Sequence, residues 1–301
     1  MKVSVLICTY NRGSLIQETL HALIEKQDET AEEIVVVNGG GRNDCSETLQ
    51  YWMDRCSYLK VLKTTNINLA NSRNLGLKEC SGDLILMTDD DARPFPDWIS
   101  KMKTNHLNYS EAGVIGGEVV DASGDSLLSQ IADVTVFPKY RQVQKTRSVP
   151  GVNCSYKKEV IKSIGEQDTT LFRGEDVDYN WRAILGGWDV IYVPEIKVYH
   201  QHRSSWNGLF RQHHMYGRAY YLVRKKWPDM YCAYPHHINS IRQVFKGIYF
   251  MVSPLRNAWI KSSEIKGFIS KLIAFPIIMT ISYYWIYGVI RQKYSVQIVN
   301  P

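Results

Sequence analysis

The chain has 301 residues, of which 45% are hydrophobic and 22% charged, with a net charge of +6. That is enough chain and enough apolar content for one large folded domain or two smaller ones, and it excludes a disordered or fibrous class. The modest positive charge does not by itself imply nucleic acid, and Cys8, Cys45, Cys56, Cys80, Cys154 and Cys232 show no C-x-x-C spacing, which favours buried reduced thiols over a disulfide framework or a zinc cluster.

Met1-Lys2 leads straight into an apolar run without a signal-peptide pattern, so a cytoplasmic N-terminus is expected. Val3 to Cys8 is β-branched and apolar and reads as a buried strand, closed by the turn residues Thr9-Tyr10-Asn11-Arg12-Gly13. Ser14 to Ile24 carries helical spacing at Leu15, Leu20, Leu23 and Ile24. Glu33 to Val37 is a second buried strand ending in Asn38-Gly39-Gly40-Gly41, Thr48 to Asp54 is helical, and Tyr58 to Leu62 is a third strand. Ala70 to Lys78 forms a helix before the apolar run Leu84 to Thr88, which ends in Asp89-Asp90-Asp91. Strands alternating with helices imply an α/β domain with a mainly parallel sheet, and such sheets bind ligands off the carboxyl ends of their strands. The polar segments Thr9–Arg12, Asn38–Gly41 and Asp89–Asp91 all fall at those ends.

Three adjacent carboxylates at the end of a buried strand repel one another unless a cation sits among them. In extended chain Asp89 and Asp91 point to one side and Asp90 to the other. Two oxygen ligands on one face suit Mg²⁺ or Mn²⁺, while a solvated acidic loop capping the next helix is the plainer alternative. The glycines at 39–41 let backbone N–H groups approach an anion, although a flexible turn explains them equally, and no Walker or G-x-G-x-x-G pattern is present. Arg73 is either a surface helix arginine or a partner for a diphosphate.

Several of these segments together resemble the inverting nucleotide-sugar glycosyltransferases of family 2, which have the GT-A fold. They are Val3–Arg12, Ile34–Asn38, Asn71-Ser72-Arg73-Asn74-Leu75-Gly76, Asp89-Asp90-Asp91-Ala92 with Pro96-Asp97-Trp98, Gly174-Glu175-Asp176-Val177-Asp178 and Tyr199-His200, in that order. The resemblance covers about residues 3 to 203. It implies transfer of a sugar from a nucleoside diphosphate sugar to a hydroxyl of a glycan or lipid-linked acceptor, assisted by Mn²⁺ or Mg²⁺. On it, Asp91 is the first metal ligand, joined by Asp89, which also contacts ribose or sugar, with Asp90 in support. His200 occupies the position of a further metal or phosphate contact. Thr9, Tyr10, Asn11, Arg12, Asn38 and Arg73 line the nucleotide-sugar site. Asn38 stands where the family usually has a base-holding aspartate. An amide both donates and accepts, so uracil, guanine and thymine all remain open.

Inverting displacement needs a base for the acceptor's proton. The resemblance gives that role to Asp176, with Glu175 orienting the acceptor, whereas acids in a first helical turn also serve simply to complement the helix dipole. Asp178 is expected to be structural. Trp181 and Trp188 are candidates for stacking on sugar faces, against the default of packing, and Asn153 for hydrogen bonding at the acceptor site, against that of a turn residue. The expected division is a catalytic domain over 1–205, with a nucleotide-sugar part over about 1–115 and an acceptor part over 116–205. A helical C-terminal region, 206–301, follows.

Within 116–144 the chain reads as polar and irregular. From Trp206, Arg211, Arg218, Arg224, Lys225 and Lys226 alternate with Phe210, Tyr216, Tyr220, Tyr221 and Trp227, a pattern that suits either an anionic membrane surface or packing on the catalytic domain. Leu272 to Ile290 carries no charge and meets the length of a membrane span, but Pro276, Gly288 and its tyrosines favour a helix lying at the surface, ahead of a packed helical hairpin and then of a true span. The expected location is the cytoplasmic face of a membrane, without a nucleic-acid partner. A catalytically silent nucleotide-sugar-binding module and a nucleotidyltransferase are the alternatives. The intact acidic segments weigh against the first, and the absence of a basic Gly-rich loop at 9–13 weighs against the second.

Overall fold

The computed structural model describes residues 1–230 and 240–295, so Cys232 lies outside the described residues. The other five cysteines are free thiols. In chain order the elements are β1 (Val3–Thr9), α1 (Ile16–Ile24), β2 (Glu33–Asn38), α2 (Ser46–Met53), β3 (Leu59–Lys63), α3 (Leu69–Glu79), β4 (Leu84–Asp89), β5 (Ala92–Pro94) and α4 (Trp98–Asn108). They continue with β6 (Ala112–Asp121), α5 (Leu127–Val136), β7 (Gln144–Lys145), β8 (Cys154–Lys157), α6 (Lys158–Ile164), α7 (Glu175–Leu185), β9 (Asp189–His200), α8 (Trp206–Lys226), α9 (Ile241–Ser263) and α10 (Phe268–Tyr294). The stretch after Gly116, read from sequence as irregular, instead holds the end of β6 and all of α5. Leu127, Leu128, Ile131 and Val134 give α5 an apolar side, and Ser126 caps it by accepting from the Ser129 N–H.

Two compact units result: Met1–Ala122 with Pro138–Gln201, and Ser123–Phe137 with His202–Pro301. The first is built on one sheet with strand order β3-β2-β1-β4-β8-β6-β9-β5, and β7 pairs with β9. Strands β1 to β4 are mutually parallel; β8 reverses direction, and β6 and β9 resume it. The central strands are buried on both faces, which is why their sequences are continuous Val/Ile/Leu runs rather than alternating ones. Leu6, Val35, Ile85 and Val114 share one core with Tyr156, Tyr179 and Tyr192.

A buried polar knot closes the amino-terminal edge of this sheet. The Glu33 carboxylate accepts from Ser4, from the hydroxyl and N–H of Ser81, and from Lys60. Burial alone would raise this carboxyl, but those hydrogen bonds outweigh it and pull it from 4.5 to about 2. Because its folded value is depressed, the stabilisation is present above its ordinary value and is lost as pH falls towards 2. Glu33→Gln is therefore expected to cost about 1–3 kcal/mol at neutral pH, with the deficit shrinking as pH is lowered to about 3. Urea denaturation of both proteins across pH measures it; a deficit that stays constant would contradict the assignment.

The second unit contains α5, α8, α9 and α10. Ile131, Leu209, Ala258, Ala274, Ile278 and Ile281 form its core. Of the two uses read for the aromatic residues of α8, membrane contact and packing, the structure shows several of them packing against α10. Helix α8 buries Leu209, His213, Gly217 and Val223, and its Phe210 and Tyr220 rings meet Tyr284 and Trp285 of α10 at 5.2 and 4.7 Å. Where α8 and α10 cross, a Cβ on Gly217 would lie 1.9 Å from the Trp285 carbonyl oxygen, and one on Gly288 would lie 2.1 Å from that of His214. The two backbones meet with no side chain between them. Among the described residues, α10 is the one helix long and apolar enough to cross a membrane by length and composition.

Candidate active site

The carboxyl edge of the sheet gathers most of the expected residues. Register places Cys8 beside Asp89 and Thr9 beside Asn38. After Asp91 the chain turns into β5, whose Ala92 pairs with His200 at the far end of β9. That antiparallel pairing brings His200 Nε2 to 3.3 Å from the Asp91 carboxylate. Potential ligand atoms of Asp89, Asp91 and His200 all lie within 4.8 Å of one another. Two carboxylate oxygens and an imidazole nitrogen make a donor set that fits Mn²⁺ better than Mg²⁺.

Asp90 is buried, and burial pushes its carboxyl up to about 6 against the hydrogen bond from Thr9 and the charge of Arg12. Its backbone carbonyl, and that of Ala92, accept from the Thr19 hydroxyl at 3.0 and 2.7 Å. Thr19 thus pins the acidic turn to α1; in sequence it reads only as a buried position on that helix.

Arg12 reaches Asp91 at 3.1 Å and Asp90 at 3.9 Å. Asn11 supports the turn from behind: it sits at φ +56°, the one left-handed non-glycine among the described residues, a region asparagine tolerates. Its side chain accepts from the Asn43 N–H and its own N–H donates to the Gly40 carbonyl, tying the turns after β1 and β2 together. Tyr10 is half exposed beside them.

Asn38 is buried, and its polar atoms are engaged: the amide donates to Asp44 and Ser46, and its oxygen accepts from the Gly40 N–H. Sequence reasoning missed Asp44, which lies six residues beyond the expected position. Hydrogen bonds from Ser46, Asn38 and the Cys45 N–H hold its carboxyl below its ordinary value.

Arg73 is the main surprise. It is 4% exposed, so it is not a surface helix arginine, and its guanidinium donates to Glu175 at 2.9 Å and to Asp89 at 3.4 Å. It therefore ties the end of β4 to the start of α7, two segments far apart in sequence. Glu175 opens α7 after Gly174, whose φ of +81° sets the entry. Burial, then the neighbouring Asp176 charge, raises its carboxyl to about 6 while Arg73 opposes the rise. The Asp89 carboxyl is raised by burial and by Asp91, against Arg73. Asp176 stays partly exposed, its two oxygens accepting from the N–H groups of Gly151 (3.1 Å) and Val177 (2.8 Å). Asp178 is buried and pairs with Arg182, in keeping with a structural part.

The expected acceptor residues fare differently. Asn153 is fully buried: it donates to the carbonyls of Glu118 and Ile196 and accepts from the Trp98 indole, so it braces β6, β9 and α4. Trp188 precedes β9 at the end remote from His200 and packs on the core beside Gly113. The structure does not bring either side chain to the acidic cluster. Trp181 is half-buried on α7.

The family model of Glycosyl transferase family 2 matches residues 4–165, more than half of the chain. The chain belongs to glycosyl transferase family 2. Among curated relatives, it is 28% identical over 187 residues to a glucosyl-dolichyl phosphate glucuronosyltransferase of Haloferax volcanii, covering 58% of this chain and 59% of that one. It is 23% identical over 237 residues to the poly-beta-1,6-N-acetyl-D-glucosamine synthase of Staphylococcus epidermidis, covering 76% and 57%. The chain thus spans less than three fifths of the length of these relatives. Among solved structures, the mannosyltransferase PcManGT from Pyrobaculum calidifontis, in complex with GDP-Man and Mn²⁺, superposes with a TM-score of 0.68 at 16% identity, covering 97% of this chain and 87% of that one. That likeness establishes the α/β fold of this family-2 chain as the GT-A type expected from its motifs.

Proposed function

We propose that this family-2 chain transfers a sugar, with inversion, from a nucleoside diphosphate sugar to a hydroxyl of a glycan or lipid-linked acceptor at the cytoplasmic face of a membrane. The observation that carries the reading is the convergence of Asp89, Asp91 and His200 within 4.8 Å at the carboxyl edge of the sheet. Those three residues would hold a divalent ion, Mn²⁺ by its donor set, which would neutralise charge developing on the departing diphosphate. Arg12 supplies a second positive charge beside the same carboxylates. Thr9, Tyr10, Asn11 and Asn38 surround the place of the nucleoside, with Asp90 beneath.

In the transfer itself, the acceptor oxygen attacks the anomeric carbon as the bond from that carbon to the diphosphate oxygen breaks. The hydroxyl proton passes to Asp176, and the nucleoside diphosphate leaves with the bonding pair. A partly exposed carboxylate fixed by two backbone N–H groups suits that task. Arg73 and Glu175 act as positioning residues that hold the donor-side and acceptor-side carboxylates in one arrangement.

Thermal-shift measurements with GDP, UDP and dTDP, with and without Mn²⁺, test the reading. One diphosphate is expected to raise Tm strongly only with the metal present, since a ligand at about 100 times its Kd adds about 2.7 kcal/mol. Turnover should release a nucleoside diphosphate. Release of inorganic diphosphate would point to a nucleotidyltransferase, and metal-dependent binding without any turnover to a silent module.

A further inference from the structure

We propose that α9 is a docking surface for an anionic lipid bilayer, laid flat with one apolar seam inward. Within its own bundle α9 buries only a narrow stripe: Phe250, Pro254, Ala258 and Ser262. About a third of a turn round the helix, at alternating spacings of four and three, stand Ile241, Phe245, Ile248, Val252, Leu255 and Trp259. All six are exposed, Ile241 by 76%, Phe245 by 65% and Trp259 by 72%. A contiguous apolar face of that length is not left open to water without a partner.

Charge decides which partner. Arg242, Lys246 and Arg256 lie beside that stripe on α9, which carries no acidic residue, while Lys261 turns into the bundle and donates to the Val134 carbonyl. From residue 231 to the end of the chain, Glu264 is the single acid against eight lysines and arginines. Basic side chains flanking an apolar stripe, with tryptophan at one end, suit the headgroup region of an anionic bilayer. A second copy of the chain would supply the same apolar seam, but it would bring arginines such as Arg242 and Arg256 to a partner equally lacking acids. The seam also runs less than three heptads, short for a coiled coil. Four charges in 23 residues exclude α9 itself from crossing the membrane. This places the membrane contact on a helix other than α8. It rests on the membrane location proposed above but not on the transfer chemistry, because docking needs neither donor nor acceptor.

The test is co-sedimentation of the full-length protein with vesicles of phosphatidylcholine alone or mixed with phosphatidylglycerol. Binding is expected to the mixed vesicles, to weaken with salt, and to fall at least about tenfold in Phe245→Glu/Trp259→Glu. Arg242→Glu/Arg256→Glu should remove the preference for the anionic lipid. Because all four side chains are exposed, far-UV circular dichroism and Tm should be unchanged, and activity on a soluble acceptor should persist. Undiminished binding by the Phe245/Trp259 variant would overturn the proposal, as would equal binding to neutral vesicles. So would membrane retention of that variant that only detergent releases, which would assign the contact to α10. A dimer in sedimentation velocity that the variant dissociates, with no vesicle binding, would give the seam to a second copy instead.

Discussion

Asp91→Asn is expected to abolish sugar transfer, lowering kcat/KM by about 10³-fold or more, and to weaken nucleotide binding in the presence of Mn²⁺. Asp91 is the residue on which the acidic site turns: its carboxylate faces both His200 at 3.3 Å and Arg12 at 3.1 Å. The substitution keeps the shape of the side chain but removes a charged ligand, and stabilisation of a leaving diphosphate by a bound ion is worth several kcal/mol. Nucleotide affinity measured in EDTA should change much less than affinity measured with Mn²⁺. That contrast separates loss of a ligand from loss of the fold. Full activity in the variant would remove Asp91 from the metal site.

Asp176→Asn is the second large effect. Turnover should fall by about 10²–10⁴-fold, the range spanned by general-base catalysis, while donor affinity stays nearly constant. An asparagine oxygen can still accept from Gly151 or Val177, so the first turn of α7 should keep its geometry. Isothermal titration with the nucleoside diphosphate and steady-state kinetics read the two quantities separately. If donor binding collapses and turnover barely moves, Asp176 belongs to the donor pocket and the base lies elsewhere.

The parts of the molecule that were legible in sequence are those whose signal is local. Runs such as Val3–Cys8 and Leu84–Thr88 are apolar throughout because parallel strands are buried on both faces, and the turns that follow them declare themselves by composition. The acidic triplet was readable in the same way, although Asp90 and Asp91 lie in the turn after β4, where the alternation of an extended strand does not apply. His200 and Asp176 entered only through resemblance; for His200, the pairing of β5 with β9 that brings the imidazole to Asp91 joins residues more than a hundred positions apart. The partners of Arg73 were hidden for the same reason: nothing near it in the chain announces contacts 16 and 102 residues away. The short mixed strand β8, Cys154-Ser155-Tyr156-Lys157, carries no alternation that distinguishes it from a loop. Trp188 and Asn153 followed the ordinary statistics of their residue types, packing and hydrogen-bonded bracing, rather than the ligand roles expected of them. Helix α9 fell within the expected helical C-terminal region without being singled out, although its four-three rhythm was there to be counted.

The crossing of α8 and α10 at Gly217 and Gly288 has a consequence for how this chain can occupy a lipid boundary. A helix packed backbone to backbone cannot drift gradually into another medium, because the first small separation already forfeits much of its dispersion contact. Any transfer of α10 out of its bundle would therefore have to break the whole crossing at once, against a barrier. Attachment through exposed side chains would be graded and quickly reversible; insertion of α10 would be all-or-none and slow.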